Sequence, residues 1–109
     1  MTDKIVVLST CPTEEEAGKL ARVLLEQRLA ACVNVVPGVR SYYWWKGAVE
    51  DAGEWLLVIK SARPLFAKLS AALRQAHSYE LPEALAIPVV DGAPDYLSWL
   101  GQNLADGPE

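Results

Sequence analysis

The sequence predicts an α+β domain in which two helices cover one face of a four-stranded antiparallel sheet. Strand-like and helix-like segments follow one another in the order β-α-β-β-α-β, with a short C-terminal helix at the end. The length of 109 residues suits a single domain spanning residues 1–109. Apolar residues make up 51% of the chain, which excludes a disordered protein. This order of elements is that of a ferredoxin-like sandwich.

Four strands are predicted, and prolines interrupt two of them. Pro37-Gly38 predicts a bulge within the second strand, and Pro88 makes the fourth an edge or bulged strand. The glycines and charges of Lys46–Gly53 predict a hairpin connection. The extended segments are Lys4–Thr10, Ala31–Val36 continued by Val39–Trp45, Glu54–Lys60 and Ala84–Val90.

Two main helices and one short helix are predicted. The first begins at Thr13, where Thr13 and Glu16 form a capping box, and it has Arg28 near its end. Pro64 belongs in the first turn of the second helix, whose apolar face extends to Ala76. The rest of the chain is predicted as a loop at His77–Glu83, a closing helix at Pro94–Leu104 and a frayed end at Ala105–Glu109.

Both faces of the predicted sheet are apolar. In the third strand Trp55, Leu57 and Ile59 point to one side, while Leu56 and Val58 point to the other. Two helices cover only one face, and the closing helix is short. We therefore expect another copy of the chain to cover the second face.

Composition excludes several classes of function. The net charge of −4 argues against nucleic-acid and membrane partners. No stretch is long enough to span a membrane, and no signal peptide is readable. Two cysteines, Cys11 and Cys32, are too few for a disulfide scaffold, so a cytoplasmic, reducing location is expected.

Few residues carry recognisable chemistry. His77 is the one histidine, and no nucleophile elbow, CxxC or HExxH pattern surrounds it or Cys11. A thiolate and an imidazole together would favour copper or zinc. A loop resembling the anion loop of acylphosphatases ends at Arg40, but it leads into an extended segment rather than a helix, and we expect no enzyme.

A polar loop and an aromatic cluster suggest a binding cleft. Lys60 ends an apolar strand and needs a carboxylate partner, which Glu80 or Glu83 would supply. Such a group is either a structural ion pair or a pocket at a subunit seam. The consecutive aromatics Tyr42–Trp45 are best explained as an intersubunit contact.

Several motifs together resemble the CutA divalent-cation tolerance family over Ile5 to Leu104. They are Ala30-Ala31-Cys32-Val33-Asn34, Tyr43-Trp44-Trp45-Lys46-Gly47, Glu54 to Lys60, His77-Ser78-Tyr79-Glu80-Leu81-Pro82-Glu83 and Tyr96-Leu97-Ser98-Trp99. The resemblance implies a ferredoxin-like subunit in a homotrimer, a link to copper and other divalent ions, and no established catalysis.

The resemblance also implies where ligands would bind. The family's proposed copper ligands are a thiol late in the first strand and histidines before the Tyr-Glu-x-Pro loop. His77 matches one of these histidines, and Ala76 stands where a second can occur. Ser9 stands at the thiol position, and Cys11 lies slightly downstream of it. The cleft implied by the resemblance comprises Cys32, Trp45, Lys60, Tyr79 and Glu83.

We therefore expect a cytoplasmic homotrimer that binds divalent metal ions such as copper or zinc through His77 and Cys11. It should serve metal tolerance without catalysis and need no cofactor for folding. The alternative is a trimeric signalling module, resembling the PII proteins, that binds a small ligand or protein at the intersubunit cleft through Lys60 and Tyr79. A third hypothesis is an acylphosphatase-type hydrolase using Arg40.

Overall fold

A four-stranded antiparallel sheet forms the centre of the fold in the computed structural model, which describes residues 2–105. The strand order is β2-β3-β1-β4, so the predicted α+β class and the order of elements are confirmed. The elements are β1 (Lys4–Cys11), α1 (Glu14–Glu26), β2 (Cys32–Trp45), β3 (Ala48–Ala62), α2 (Phe66–Ala76), β4 (Leu85–Pro88) and α3 (Pro94–Gln102).

The core lies between the sheet and helices α1 and α2. Alternate residues of β1 are buried, as in Val7 and Ser9, because one face of the strand meets the helices. The helices contribute a periodic apolar stripe that includes the fully buried Leu20, Leu24 and Leu69. This packing fixes the last residues of β1, the first turn of α1 and the end of α2 relative to one another. These three segments contribute the residues of the candidate site.

The predicted capping box at the start of α1 is formed only in part. The Thr13 hydroxyl accepts a hydrogen bond from the Glu16 amide at 3.1 Å, as a capping box requires. The Glu16 carboxylate instead accepts from the Ser78 amide, so the reciprocal half of the box was wrong. Helix α1 ends at Glu26, and Arg28 lies two residues beyond it with a left-handed φ of 56°.

The hairpin between β2 and β3 is much tighter than predicted. Only Lys46 and Gly47 form the connection, so the prediction of a loop over Lys46–Gly53 was wrong. Both turn residues have positive φ, 50° and 84°, which gives the twist that a two-residue hairpin needs. The charges that suggested a loop lie on an exposed two-stranded ribbon, where Arg40 and Asp51 form an ion pair at 2.6 Å.

Proline and glycine modify the sheet where the sequence predicted. The β2–β3 register shifts between Val36 and Val39, which confirms the bulge at Pro37-Gly38. Strand β4 lies at the edge and pairs only with β1, in agreement with Pro88. It is shorter than the predicted Ala84–Val90, although the Val89 amide still donates to the Lys4 carbonyl at 3.1 Å.

The second sheet face remains open to solvent in the single chain. Leu85 and Ile87 of β4 are 60% and 47% exposed, so α3 does not cover them. Helix α3, which ends at Gln102 rather than the predicted Leu104, buries Leu100 instead. The Ala105 amide donates to the Arg28 carbonyl at 2.9 Å, and the rest of the predicted frayed end lies outside the described residues. In the described part of the chain, no helix is long and apolar enough to cross a membrane.

Two glycines in open space should respond oppositely to alanine. An added Cβ meets no heavy atom within 4 Å at Gly18 or Gly38. Gly18 is helical, so Gly18→Ala should raise the free energy of unfolding by about 0.5–1 kcal/mol. Gly38 has φ +77°, so Gly38→Ala should lower it by about 1 kcal/mol. Urea denaturation of both variants checks this, and equal shifts would contradict the assigned bulge.

Candidate functional site

His77 joins the end of α2 to the end of β1. Its Nε2 lies 2.8 Å from the Thr10 carbonyl oxygen, and the Tyr79 amide donates to its Nδ1 at 3.0 Å. A carbonyl can only accept, so Nε2 carries the proton and Nδ1 presents its lone pair. The His77 side chain is fully buried. Only Nδ1 can therefore act as a ligand while this contact with β1 is kept.

Glu16 of α1 faces the same ring nitrogen. Its Oε2 lies 3.2 Å from His77 Nδ1 and accepts a hydrogen bond from the Ser78 amide at 2.9 Å. Burial works against ionisation of this carboxyl, but the hydrogen bonds from Ser78 outweigh it and hold the pKa of Glu16 below its usual range. Glu16 was not expected at the site, because the contact is made only by folding of residues distant in sequence.

Cys11 lies at the end of β1 but does not share this arrangement. Its thiol is fully buried and donates to the Thr13 carbonyl, with Sγ 3.4 Å from that oxygen. Burial raises the pKa of the Cys11 thiol, which disfavours the thiolate that a metal would need. Within residues 2–105, no group of three or more His, Cys, Asp and Glu side chains is placed to hold a metal ion.

A groove of about 670 Å³ lies beside this junction, between the β2–β3 ribbon and the loop after α2. We call it the aromatic groove. Trp45, Tyr79 and Glu83, three of the five predicted cleft residues, all line it. Its complete lining is Thr10, Ser41, Tyr42, Tyr43, Trp44, Trp45, Glu54, Tyr79, Glu80, Leu81 and Glu83.

Glu54 is the most deeply placed carboxylate of the aromatic groove. It is 8% exposed, and the Tyr79 hydroxyl donates to its Oε2 at 2.6 Å. Burial and this carboxylate together raise the pKa of Tyr79, so the phenol stays protonated as a donor. Burial, followed by the charge of Glu54, also raises the pKa of Glu83. No local pattern indicated the role of Glu54, because its partner lies 25 positions away in the sequence.

The two other predicted cleft residues lie elsewhere on the sheet. Cys32 and Lys60 are cross-strand neighbours, with Lys60 Nζ 3.9 Å from Cys32 Sγ. Lys60 also donates to the Asn34 side-chain carbonyl. The expected pairing of Lys60 with Glu80 or Glu83 was therefore wrong. The reason is register: Lys60 pairs with Val6 in β1, whereas the aromatic groove borders Thr10.

The pKa of Glu16 is lowered and that of Glu83 is raised, so removing each charge should change the free energy of unfolding in opposite directions. Glu16→Gln should lower the free energy of unfolding by about 1 kcal/mol at pH 7, because a charge-assisted hydrogen bond is weakened. That loss should disappear as the pH falls through the depressed pKa of Glu16. Glu83→Gln should instead stabilise the fold at pH 7, because the raised pKa of Glu83 shows that its ionised form is disfavoured.

Denaturation curves from pH 7 to pH 3 distinguish these outcomes. The advantage of Glu83→Gln should vanish once Glu83 itself is protonated in both states, below the ordinary carboxyl range. Glu15→Gln is the matched control, since Glu15 is an exposed neighbour of Glu16 in the same turn. A loss at Glu15 equal to that at Glu16 would rule out the specific contact.

Comparison with known proteins identifies the family to which the chain belongs. Residues 5–103 match the model of the family described as CutA1 divalent ion tolerance protein. The divalent-cation tolerance protein CutA of Thermus thermophilus is 46% identical over 98 residues, covering 90% of this chain and 95% of that protein. The divalent-cation tolerance protein CutA of Pectobacterium atrosepticum is 44% identical over 104 residues, covering 95% of this chain and 94% of that protein.

Solved structures agree with the sequence comparison. The crystal structure of CutA from Xylella fastidiosa superposes with a TM-score of 0.92 at 38% identity, covering 95% of this chain and all of that one. The matched region contains both the junction at His77 and the aromatic groove. The family is named for tolerance of divalent ions and not for a catalysed reaction. The chain belongs to the CutA1 divalent ion tolerance protein family.

Proposed function

We propose that this protein serves divalent-cation tolerance by binding a copper-type divalent ion reversibly, without catalysing a reaction. The observation that carries the proposal is the approach of His77 Nδ1 to Glu16 Oε2, at 3.2 Å. An imidazole nitrogen suits copper and zinc, and a carboxylate oxygen completes a pair of donors of different type. Binding requires the Tyr79 amide to move away from Nδ1, because that nitrogen has a single lone pair. Relatives in Thermus and Pectobacterium carry divalent-cation tolerance in their names, which supports the same role here.

The donors suit an exchangeable site better than a closed structural centre. Two side chains converge, whereas structural zinc centres use four protein ligands. The Cys11 thiol is tied to the Thr13 carbonyl and is a ligand only when it loses its proton. The hydrophobic core is built from aliphatic side chains together with the protonated Cys11 thiol, so we expect folding to need no ion.

Copper titration with a spectroscopic readout tests the proposal. Because His77 is the one histidine of the chain, imidazole-nitrogen coupling in the electron paramagnetic resonance spectrum of bound Cu²⁺ reports on this residue alone. We expect saturable micromolar binding that shows this coupling. Glu16→Gln should weaken binding about ten-fold, while Glu15→Gln should leave it unchanged. Binding without nitrogen coupling, or with equal effects of both variants, would refute the site.

Binding of a proton to His77 Nδ1 competes with binding of the metal. Protonation of Nδ1 removes its lone pair and turns it into a donor toward Glu16. Copper affinity should therefore fall as the solution is acidified. Affinity that does not change on acidification would remove His77 from the site.

We also propose that three copies assemble through the open sheet face, in the cytoplasm. That face joins the exposed Leu85 and Ile87 to the half-buried Leu8 and Val58, an apolar surface that a soluble monomer rarely leaves uncovered. Both cysteines are free thiols, which suits a reducing compartment. Relatives described as chloroplastic in Oryza sativa and periplasmic in Archaeoglobus fulgidus show that the family occupies other compartments as well.

A charge placed on the open face should dissociate the assembly. Leu85→Glu should convert a species of three times 11.9 kDa into smaller species in sedimentation velocity, since a buried unpaired carboxylate is costly. Leu25→Glu is the matched control, because Leu25 is 39% exposed on α1 and away from the sheet. A wild-type monomer, or dissociation by the control variant alone, would contradict the proposed interface.

A further inference from the structure

Cys32 and Lys60 form a contact that belongs neither to the proposed copper site nor to the aromatic groove. They stand directly opposite each other on β2 and β3, with Lys60 Nζ 3.9 Å from Cys32 Sγ. Side chains at such positions share one face of the sheet, with Cβ atoms about 4.5–5.5 Å apart. The side-chain carbonyl of Asn34, two positions along the same strand, accepts a hydrogen bond from the Lys60 ammonium group. A contact within one chain therefore holds the nitrogen beside the sulfur.

The other cysteine is in a different environment. Cys11 is fully buried, and its thiol donates to the Thr13 carbonyl. It lies opposite Trp55, five positions along β3 from Lys60, which at about 3.3 Å per residue separates the two cysteines by roughly 16 Å. A disulfide needs Cα atoms within about 7 Å of each other. Lys60, and not Cys11, is thus the nucleophile that the fold places beside Cys32.

We propose that oxidation of Cys32 by hydrogen peroxide joins it to Lys60 through a sulfur–nitrogen bond. The sulfur first attacks one peroxide oxygen, the O–O bond breaks, and Cys32 becomes a sulfenic acid as one water leaves. Lys60 then releases its ammonium proton to solvent, and the amine attacks the sulfur. The S–O bond breaks, and the hydroxide leaves as a second water with a proton from the nitrogen. One thiol, one amine and one peroxide give one sulfenamide and two waters, with the sulfur oxidised and the peroxide reduced.

The position of the pair suits a small oxidant. Both side chains are half-buried, and hydrogen peroxide is little larger than water, so the reaction needs no ligand-sized cavity. Cys32 lies on β2, at the edge of the sheet opposite β4. The apolar residues of the proposed assembly face lie on the other three strands, and they are Leu8, Val58, Leu85 and Ile87. The bond joins two groups of one chain, so no atom of a neighbouring copy is required.

The sulfur–nitrogen bond changes the sheet in two ways. It removes the positive charge of Lys60, and it ties β2 covalently to β3. It is also reversible, because a thiol that attacks the Cys32 sulfur displaces the amine and leaves a mixed disulfide. A second thiol then releases Cys32 from that disulfide. The pair is therefore a redox switch that a peroxide sets and a thiol resets, independently of copper binding.

Mass spectrometry after peroxide treatment tests the proposal on the full-length protein. A chelator keeps the protein metal-free, so that copper chemistry does not contribute. We expect the intact mass to fall by two hydrogen atoms with no oxygen retained, and a linked peptide pair containing Cys32 and Lys60. Excess dithiothreitol should restore the original mass and separate the two peptides.

Variants assign the bond to these two side chains. Lys60→Arg should abolish the link, because it keeps the positive charge but lacks the nucleophilic amine. Asn34→Ala should lower the yield about five-fold, the effect of one ordinary hydrogen bond. Lys68→Arg is the matched control, since Lys68 is exposed on α2, and it should leave the yield unchanged.

Three results would overturn the proposal. The first is a Cys32 that peroxide leaves unmodified in the folded protein. The second is a product that keeps oxygen on the sulfur and forms equally in the wild type and in Lys60→Arg. The third is a link from Cys32 to another residue. Circular dichroism of each variant before treatment checks that the fold is retained.

Discussion

The hydrogen bond between His77 Nε2 and the Thr10 carbonyl organises the functional end of this molecule. It closes a gap of 67 positions in the sequence and fixes the end of α2 against the end of β1. At this point β1 has β3 on one side but no longer has β4 on the other, because β4 pairs only as far as Leu8. The imidazole therefore satisfies a strand carbonyl that the sheet leaves free. A buried carbonyl without such a donor would be costly.

Both candidate sites depend on this junction. With the ring held at Nε2, Nδ1 accepts the hydrogen bond from the Tyr79 amide and lies 3.2 Å from Glu16 Oε2. The same anchoring brings the Tyr79 hydroxyl to Glu54, which is what gives the aromatic groove its floor. One residue thus positions the Glu16 contact on one side and the negative groove on the other. Its ring also lies 4.8 Å from the Tyr79 ring, which keeps the loop packed against the junction.

The sequence predicted the architecture well because the relevant signals are local. Strand periodicity, the Thr13 cap and the Pro37-Gly38 bulge all act over a few residues, and the structure confirmed them. The hairpin was mispredicted because charges at Glu50 and Asp51 resemble a loop in sequence, whereas an exposed ribbon accommodates them equally well. Local patterns do not distinguish these two environments.

The candidate site was predicted less completely, since it depends on strand register and on side-chain direction. The family motifs drew attention to Trp45, Tyr79 and Glu83, which do meet. Lys60 was grouped with them although the register places it near Cys32. Glu16 and Glu54 were missed as site residues because their partners, Ser78 and Tyr79, are 62 and 25 positions away. The family resemblance identified the loop after α2, but only the three-dimensional structure shows which residues this loop contacts.

The length of the β2–β3 ribbon has a consequence for how the protein opens. β1 ends opposite Trp55, so Val39–Trp45 and Ala48–Glu54 continue as two strands that pair only with each other. A two-stranded ribbon is marginally stable by itself, so this segment should exchange its amide hydrogens earlier than the central strands. One wall of the groove therefore belongs to a weakly protected unit, and the opposite wall is fastened to the core. Any molecule held between them links the two units and makes the fold more cooperative.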